Sequence, residues 1–191
     1  MVSPHLVIHP LTPERKDDFL AFFEGEAFAD NPKWNSCFCQ FLYVDHNVVD
    51  WHARTFEQNR VAACDRIDHC RMQGLLAYLD GKPIGWCNAA PRTMMDPFFD
   101  EPDKDESKLG QITCFVIAKA HRRTGIATSL LLAACNALRE QGLTIAEASP
   151  LASESDEARN HFGPLNMYLN AGFHIHKSLD DGTVLVRKHL V

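Results

Sequence analysis

The residues best placed to do chemistry lie together between Gln111 and Gly142. An apolar run, Ile112 to Ile117, gives way to His121-Arg122-Arg123-Thr124-Gly125-Ile126-Ala127. Ile126, Leu130, Ala133, Ala134, Ala137 and Leu138 then recur at helical spacing as far as Gln141-Gly142. The first run reads as a buried strand and the second as an amphipathic helix closed by a glycine. The first amides of a helix have no partner within it and sit at the positive end of its dipole, so the turn between the two elements suits an anion. Arg122 and Arg123 add positive charge, and Gly125 allows close backbone approach. A phosphate-bearing ligand is expected over Arg122 to Thr128.

Arg122-x-x-Gly125-x-Ala127 after a strand resembles the acyl-CoA pyrophosphate loop of the GNAT acetyltransferase superfamily, Gln/Arg-x-x-Gly-x-Gly/Ala. In that family a valine and a proline usually stand five and three residues before the arginine. Ile117 fills the first position, and Lys119 replaces the proline. Farther on, Met167-Tyr168-Leu169-Asn170-Ala171-Gly172-Phe173 is similar to the family's Leu-Tyr-x-x-x-Gly-Phe. The resemblance covers 6–24, 74–92 and 110–190, and the stretch from Gly85-Trp86-Cys87 to Pro91-Arg92 is similar to members acting on small molecules.

The resemblance implies an α/β fold with a mixed central sheet of six or seven strands flanked by helices. It implies one N-acetyltransferase domain over 1–191, with a helical insertion at about 25–72 that helps form the acceptor pocket. Acetyl-CoA is the implied co-substrate, without a metal, and the implied reaction is acetyl transfer to a primary amine of a small molecule. Main chain at Val116 and Ile117 is expected against the pantetheine arm. Arg122, Arg123, Thr124, Gly125, Ile126, Ala127 and Thr128 are expected around the pyrophosphate. Tyr168 matches the general acid that protonates the leaving thiolate; a phenol of pKa ~10 can donate to a comparably basic sulfur. The alternative for Tyr168 is a helix residue packed through its ring. For the whole chain the alternative is a non-catalytic acyl-CoA-binding sensor or assembly module.

The base is less clearly marked. Many relatives carry a glutamate on the strand before the loop, but Gln111-Ile112-Thr113-Cys114-Phe115-Val116 holds no carboxylate. Glu147, within Ile145-Ala146-Glu147-Ala148, is the substitute: partial burial there raises a carboxyl pKa toward neutrality. It stands against a second reading, a strand glutamate facing solvent. His121 and His161 are further candidates, and bulk water is another sink for the proton. The acidic stretch Asp96, Asp100, Glu101, Asp103, Asp105 and Glu106 reads either as a lure for a cationic amine or as a solvated loop.

The elements that position these residues follow from patterning. Leu6 to His9 reads as a strand, and Thr12 with Pro13 starts a helix that buries Phe19, Leu20, Phe22 and Phe23. The stretch Trp34 to Tyr43, with Cys37 and Cys39, follows no clear period. Val49, Ala53, Phe56, Arg60, Ala63, Ile67 and Cys70 predict one amphipathic helix. Leu75–Leu79, Asp80-Gly81 and Ile84–Ala89 predict a hairpin, and Met94 to Lys108 a loop. Leu143 to Ser149 is the next strand, parallel to the one before the loop because a helix joins them. Phe173–Leu179 and Thr183–Leu190 form a closing hairpin around Asp180-Asp181-Gly182.

Length and composition agree with a soluble globular chain of 191 residues, 46% hydrophobic and 23% charged. A net charge of −6 argues against general nucleic-acid binding, which leaves a basic face. No apolar run approaches a membrane span, and Met1-Val2-Ser3-Pro4-His5 lacks signal-peptide features, so a cytoplasmic monomer or homodimer is expected. The seven cysteines are scattered and read as reduced thiols. Zinc would want Cys-x2-4-Cys pairs, which Cys37-Phe38-Cys39 and Cys64…Cys70 do not form.

Overall fold

The computed structural model describes residues 6–98, 103–152, 160–179 and 181–190. Its strands are β1 (Leu6–Pro10), β2 (Gly74–Leu79), β3 (Lys82–Pro91), β4 (Leu109–Ile117), β5 (Ile145–Ala148), β6 (His174–Ser178) and β7 (Val184–His189). They form one mixed sheet in the order β1-β2-β3-β4-β5-β7-β6. The α-helices are α1 (Lys16–Glu24), α2 (Phe56–Asp68), α3 (Ile126–Glu140) and α4 (Leu165–Asn170). None of the described helices is long and apolar enough to cross a membrane.

The sheet buries both faces, as the alternation along its strands requires. On one face α3 and α4 pack Leu130, Leu138 and Tyr168 against Ile112, Phe115 and Val186. On the other, Phe19, Phe22 and Phe23 of α1 join Phe38 and Ile67 over Trp86. Aromatic rings dominate this second core: Phe19 meets the Trp86 ring edge-on at 5.0 Å and stacks on Phe23 at 4.3 Å. The β2–β3 hairpin turns at Asp80-Gly81, both with positive φ (49° and 79°), the twist that a two-residue hairpin needs.

Several elements differ from the sequence expectation for local reasons. The helix predicted from Val49 to Cys70 is broken: a 3-10 turn at Trp51–Ala53 precedes α2, and Thr55 starts α2 with a reciprocal capping box to Gln58. Thr12 caps nothing; Pro13–Arg15 form a 3-10 turn before α1, and the Thr12 hydroxyl accepts from Arg15 instead. Two 3-10 turns that meet at a kink at Met95, Arg92–Phe98, run into the loop predicted from Met94 to Lys108, and β4 begins at Leu109 rather than Ile112. In the closing hairpin, Asp180 lies outside the described residues. Trp34 to Tyr43, which followed no period, is built from 3-10 turns with Phe38 and Cys39 both at positive φ (44° and 55°).

One irregularity interrupts the sheet. β4 and β5 are parallel, but they share only three residue pairs, Leu109↔Ile145, Gly110↔Ala146 and Gln111↔Glu147. β5 ends at Ala148, whereas β4 runs on to Ile117 with β3 as its partner on the other side. The two central strands therefore part at Gln111, opening a gap toward the carboxyl end of β4.

Candidate active site

The gap is lined by main chain before it is lined by side chains. Val116 pairs with Trp86 and Ile117 with Gly85, and the Ala118 N–H donates to Ile84 O at 2.9 Å. Main-chain groups alternate sides in an antiparallel pair, so those of Val116 and Ala118 point to β3. Those of Phe115 and Ile117 point away from β3, into the gap. This corrects the expectation for Val116: its polar backbone is used inside the sheet, and Phe115 takes its place beside Ile117.

At the end of β4 the chain forms the predicted turn. A 3-10 turn at Lys119–His121 leads through Arg122, Arg123 and Thr124 to Gly125, which sits at the N-cap of α3 with φ 87°. No side chain caps this helix and its first turn holds no acidic residue, so the amides of Ile126, Ala127 and Thr128 remain for a ligand. Nothing lies within 4 Å of where a Cβ on Gly125 would stand, which leaves room directly over those amides. Arg123 also adopts positive φ (63°), a costly conformation for a non-glycine residue that turns successive amides to one side. The remaining groups stiffen the turn. The Thr124 hydroxyl donates to His121 O at 2.6 Å, and Arg122 Nε donates to Ile117 O at 3.0 Å. Ile126 keeps its side chain in the core. These residues fit a pyrophosphate: open amides, positive charge and space.

Arg122 has a second partner that the sequence did not announce. Its Nη1 and Nη2 donate to the two carboxylate oxygens of Asp30 at 2.7 and 3.0 Å. The guanidinium holds the Asp30 carboxyl below its usual pKa. Nothing in the sequence links residues 92 positions apart.

Tyr168, on α4, is fully buried, with its ring edge-on to Phe115 and Phe173. Its hydroxyl donates to Phe162 O at 2.6 Å, and the Asn160–Phe162 turn packs against β4. Burial pushes its pKa well above the ordinary value, so the phenol keeps its proton across the physiological range.

Glu147 is where the expectation fails. It is fully buried, and both its oxygens accept from arginines: Oε1 from Arg92 Nη1 at 3.1 Å and Oε2 from Arg187 Nε at 2.6 Å. Neither the partly desolvated base nor the solvent-facing glutamate describes it. It is a charge locked between two guanidiniums. Three carboxylates of the acidic stretch are also paired. Asp103 pairs with Arg187, Glu106 lies 3.6 Å from Arg92 Nε, and Asp105 pairs with Lys108. Asp103 and Glu106 tie the loop to β7 and to the segment after β3, and Asp105 pairs within the loop; the Asp96 side chain, Asp100 and Glu101 lie outside the described residues. His121 donates its amide to Ala118 O within the turn, and the His161 ring contacts Trp34 and Phe162.

Beside Glu147 the sheet carries a band of buried polar groups missed in the sequence. Asn88 donates to the Tyr43 hydroxyl at 3.0 Å and accepts from the Thr113 hydroxyl at 3.4 Å. Gln111, 1% exposed at the root of the gap, has an amide oxygen with no hydrogen-bond partner among the described residues. The available signal was a polar residue interrupting an apolar strand: Asn88 after Trp86-Cys87, Gln111 before Ile112, Arg187 after Val184-Leu185-Val186. None of the cysteines forms a disulfide, and burial raises the Cys39 and Cys87 thiols. Among the described residues no group of three or more His, Cys, Asp or Glu is placed to hold a metal ion.

The comparisons with known proteins agree with this geometry. The model of the acetyltransferase (GNAT) family matches residues 17–162, and the chain belongs to that family; it is an acetyl-CoA-dependent acetyltransferase. Among solved structures, an N-acetyltransferase from Staphylococcus aureus Mu50 superposes with a TM-score of 0.61 at 15% identity, over 98% of this chain and 99% of that one. A putative acetyltransferase from Salmonella typhimurium, solved with its cofactor acetyl-CoA, gives 0.57 at 15% identity, over 97% and 94%. The ribosomal-protein-alanine N-acetyltransferase of Brucella melitensis gives 0.58 at 16%, over 96% and 99%. At these identities the likeness is one of fold. No curated protein matches the chain in sequence.

Two outcomes follow from the burial. Glu147→Gln removes the carboxylate that Arg92 and Arg187 share, and breaking one partner of a buried ion network typically costs ~3–5 kcal/mol, read from urea unfolding. All three tyrosines, Tyr43, Tyr78 and Tyr168, have pKa values raised by burial, against ~10 in an unfolded chain. The folded state therefore holds its phenolic protons more tightly. Their contribution to stability is complete below about pH 10 and is lost as pH rises beyond it. In an ultraviolet titration, phenolate absorbance is expected to appear together with unfolding; three phenols ionising near pH 10 in a folded protein contradict the burial.

Proposed function

We propose that this acetyltransferase moves the acetyl group of acetyl-CoA to a primary amine carried by a small molecule. One observation carries the reading: within a single short stretch, outward main chain at Phe115 and Ile117 runs into an uncapped helix start flanked by Arg122 and Arg123. That sequence of groups matches an elongated amide-bearing arm ending in a pyrophosphate. In this reading the amides of Gly125 to Thr128 and the arginines hold the pyrophosphate, and Ile117 and Phe115 hydrogen-bond the arm. The thioester is thereby directed toward the root of the gap.

There the buried polar band receives the amine. The Gln111 amide oxygen orients an N–H but cannot take a proton. Glu147 has no oxygen free of a guanidinium. The amine therefore reacts in its neutral form and sheds its proton to solvent. Tyr168 gives its proton to the departing sulfur, exchanging Phe162 O for the new partner. The burial that raises the phenol pKa raises that of a thiol beside it as well, so the transfer stays balanced. A small acceptor is favoured because residues 26–53 fold over the α1–α2 side of the sheet with Phe38, Leu42 and Tyr43 in the core, which suits a compact molecule. The rival is an alanine of a protein, the acceptor named for the ribosomal-protein-alanine N-acetyltransferase of Brucella melitensis.

Acetyl-CoA turnover, followed as free thiol release with a panel of small amines and an alanine-terminated peptide, tests the reading; turnover with the peptide alone reassigns the acceptor. Gly125→Asp places a carboxylate over the open amides and is expected to abolish acetyl-CoA binding in calorimetry; because the position has φ 87°, Gly125→Asn, which brings the same backbone strain without the charge, is the control and is expected to keep binding. Unchanged binding removes the pyrophosphate assignment. Tyr168→Phe keeps the ring and removes the proton, and general acid catalysis typically contributes ~10²–10⁴ in rate. A fall in kcat of about that size with unchanged acetyl-CoA affinity is expected; wild-type kcat makes Tyr168 a packing residue.

A further inference from the structure

Five residues of the long α1–α2 connection span the site from one side to the other. At one end Asp30 grips the Arg122 guanidinium with both carboxylate oxygens. At the other, the Trp34 ring meets His161 edge-on, with centroids 5.1 Å apart at 63°. Between them Pro32–Trp34 form a 3-10 turn, closed by Trp34 N–H on Asn31 O at 3.1 Å. Arg122 belongs to the loop that follows β4, and His161 to the turn whose next residue, Phe162, holds the Tyr168 hydroxyl. Asp30 to Trp34 is thus a strap tied to both halves of the site.

The Asp30 end has the chemistry of a ligand. Two parallel N–H···O bonds from one guanidinium are the arrangement in which arginine takes a carboxylate or a phosphate. Arg122 is further fixed by its Nε bond to Ile117 O, so its fork faces Asp30 in a set orientation. We propose that Asp30 is an internal competitor for the acyl-CoA pyrophosphate, and that binding displaces its carboxylate from Arg122 and frees the strap at that end. The inference rests on the pyrophosphate reading of the Arg122–Thr128 turn. The pair is partly exposed, with side chains 45% and 24% accessible, and such pairs are weak and displaceable. Displacement leaves a carboxylate near an anionic ligand, so Asp30 lowers affinity twice, by occupying Arg122 and by repulsion. It also links occupancy of the acyl-CoA site to the position of Trp34, next to the Tyr168 segment.

Calorimetry with acetyl-CoA tests this on the whole protein. Asp30→Asn keeps the shape and removes the charge, and is expected to tighten acetyl-CoA binding about 2- to 5-fold, the range set by an exposed ion pair. Asp30→Glu keeps the charge and is expected to stay close to wild type. Equal or weaker binding by Asp30→Asn, with wild type binding normally, overturns the proposal while leaving the pyrophosphate assignment intact. Failure of the wild type to bind acetyl-CoA overturns both. Strap release is read separately from Trp34 fluorescence, isolated among the three tryptophans as the difference between wild type and Trp34→Phe. Acetyl-CoA is expected to shift that component in the wild type, and Asp30→Asn to show the shift before ligand is added. A Trp34 component unmoved by saturating acetyl-CoA rules out the release.

Discussion

β4 and β5 stay together for three residue pairs and then part, and this break in pairing is the constraint on which the site depends. Every main-chain amide and carbonyl in a buried region needs a partner, and inside a sheet the neighbouring strand supplies it. Where β5 stops, Phe115 and Ile117 face outward with that demand unmet by a strand. The protein satisfies one group itself, through Arg122 on Ile117 O. An extended ligand with amides of its own can satisfy the others by standing in for the missing strand. An interrupted sheet is therefore a gap able to take an extended ligand.

Holding two central strands apart requires support at the point where they diverge. Glu147 stands opposite Gln111, the last paired residue, and is held by Arg92 from the end of β3 and Arg187 from β7. Asp103 and Glu106 extend the same network into the loop before β4. Removing water from these charges is expensive and the net stability of such clusters is small. What the network contributes is position, since two forked guanidiniums on one carboxylate fix three strands and a loop relative to each other. The polar band of Asn88, Thr113 and Gln111 continues from it across the same face. Polar burial is concentrated at the root of the gap, and most of the remaining core on that face is apolar and aromatic.

The connection between α1 and α2 adds a second layer to the site. Its 3-10 turns bury Phe38 and Tyr43 against the sheet, and Tyr43 reaches the polar band through Asn88. A segment with no continuous helix or strand is anchored by side chains: Arg66 of α2 donates to Gln40 and to Tyr43 O, Asn59 donates to Ser36 O, and Asp30, Tyr43 and Trp34 meet Arg122, Asn88 and His161.

The sequence by itself determined the elements whose signals are local. Ile112–Ile117, the turn at Arg122–Gly125 and the helical spacing from Ile126 to Leu138 described a strand, a tight turn and a helix because these depend on local periodicity and on a glycine able to take positive φ. The Asp80-Gly81 hairpin and the strand order around α3 were legible for the same reason. Tertiary structure alone decided what the charged residues do. Glu147 looked like a base because its neighbours in sequence are apolar, and only the sheet order brings Arg92 and Arg187 to it. Phe115 rather than Val116 turns its backbone groups to the gap because strand register, which the sequence does not print, chooses which groups face it. Asp30 met Arg122 across 92 positions. Periodicity and turn chemistry act between near neighbours and can be read along the chain, whereas electrostatic pairing acts through space and is fixed only once the chain has folded.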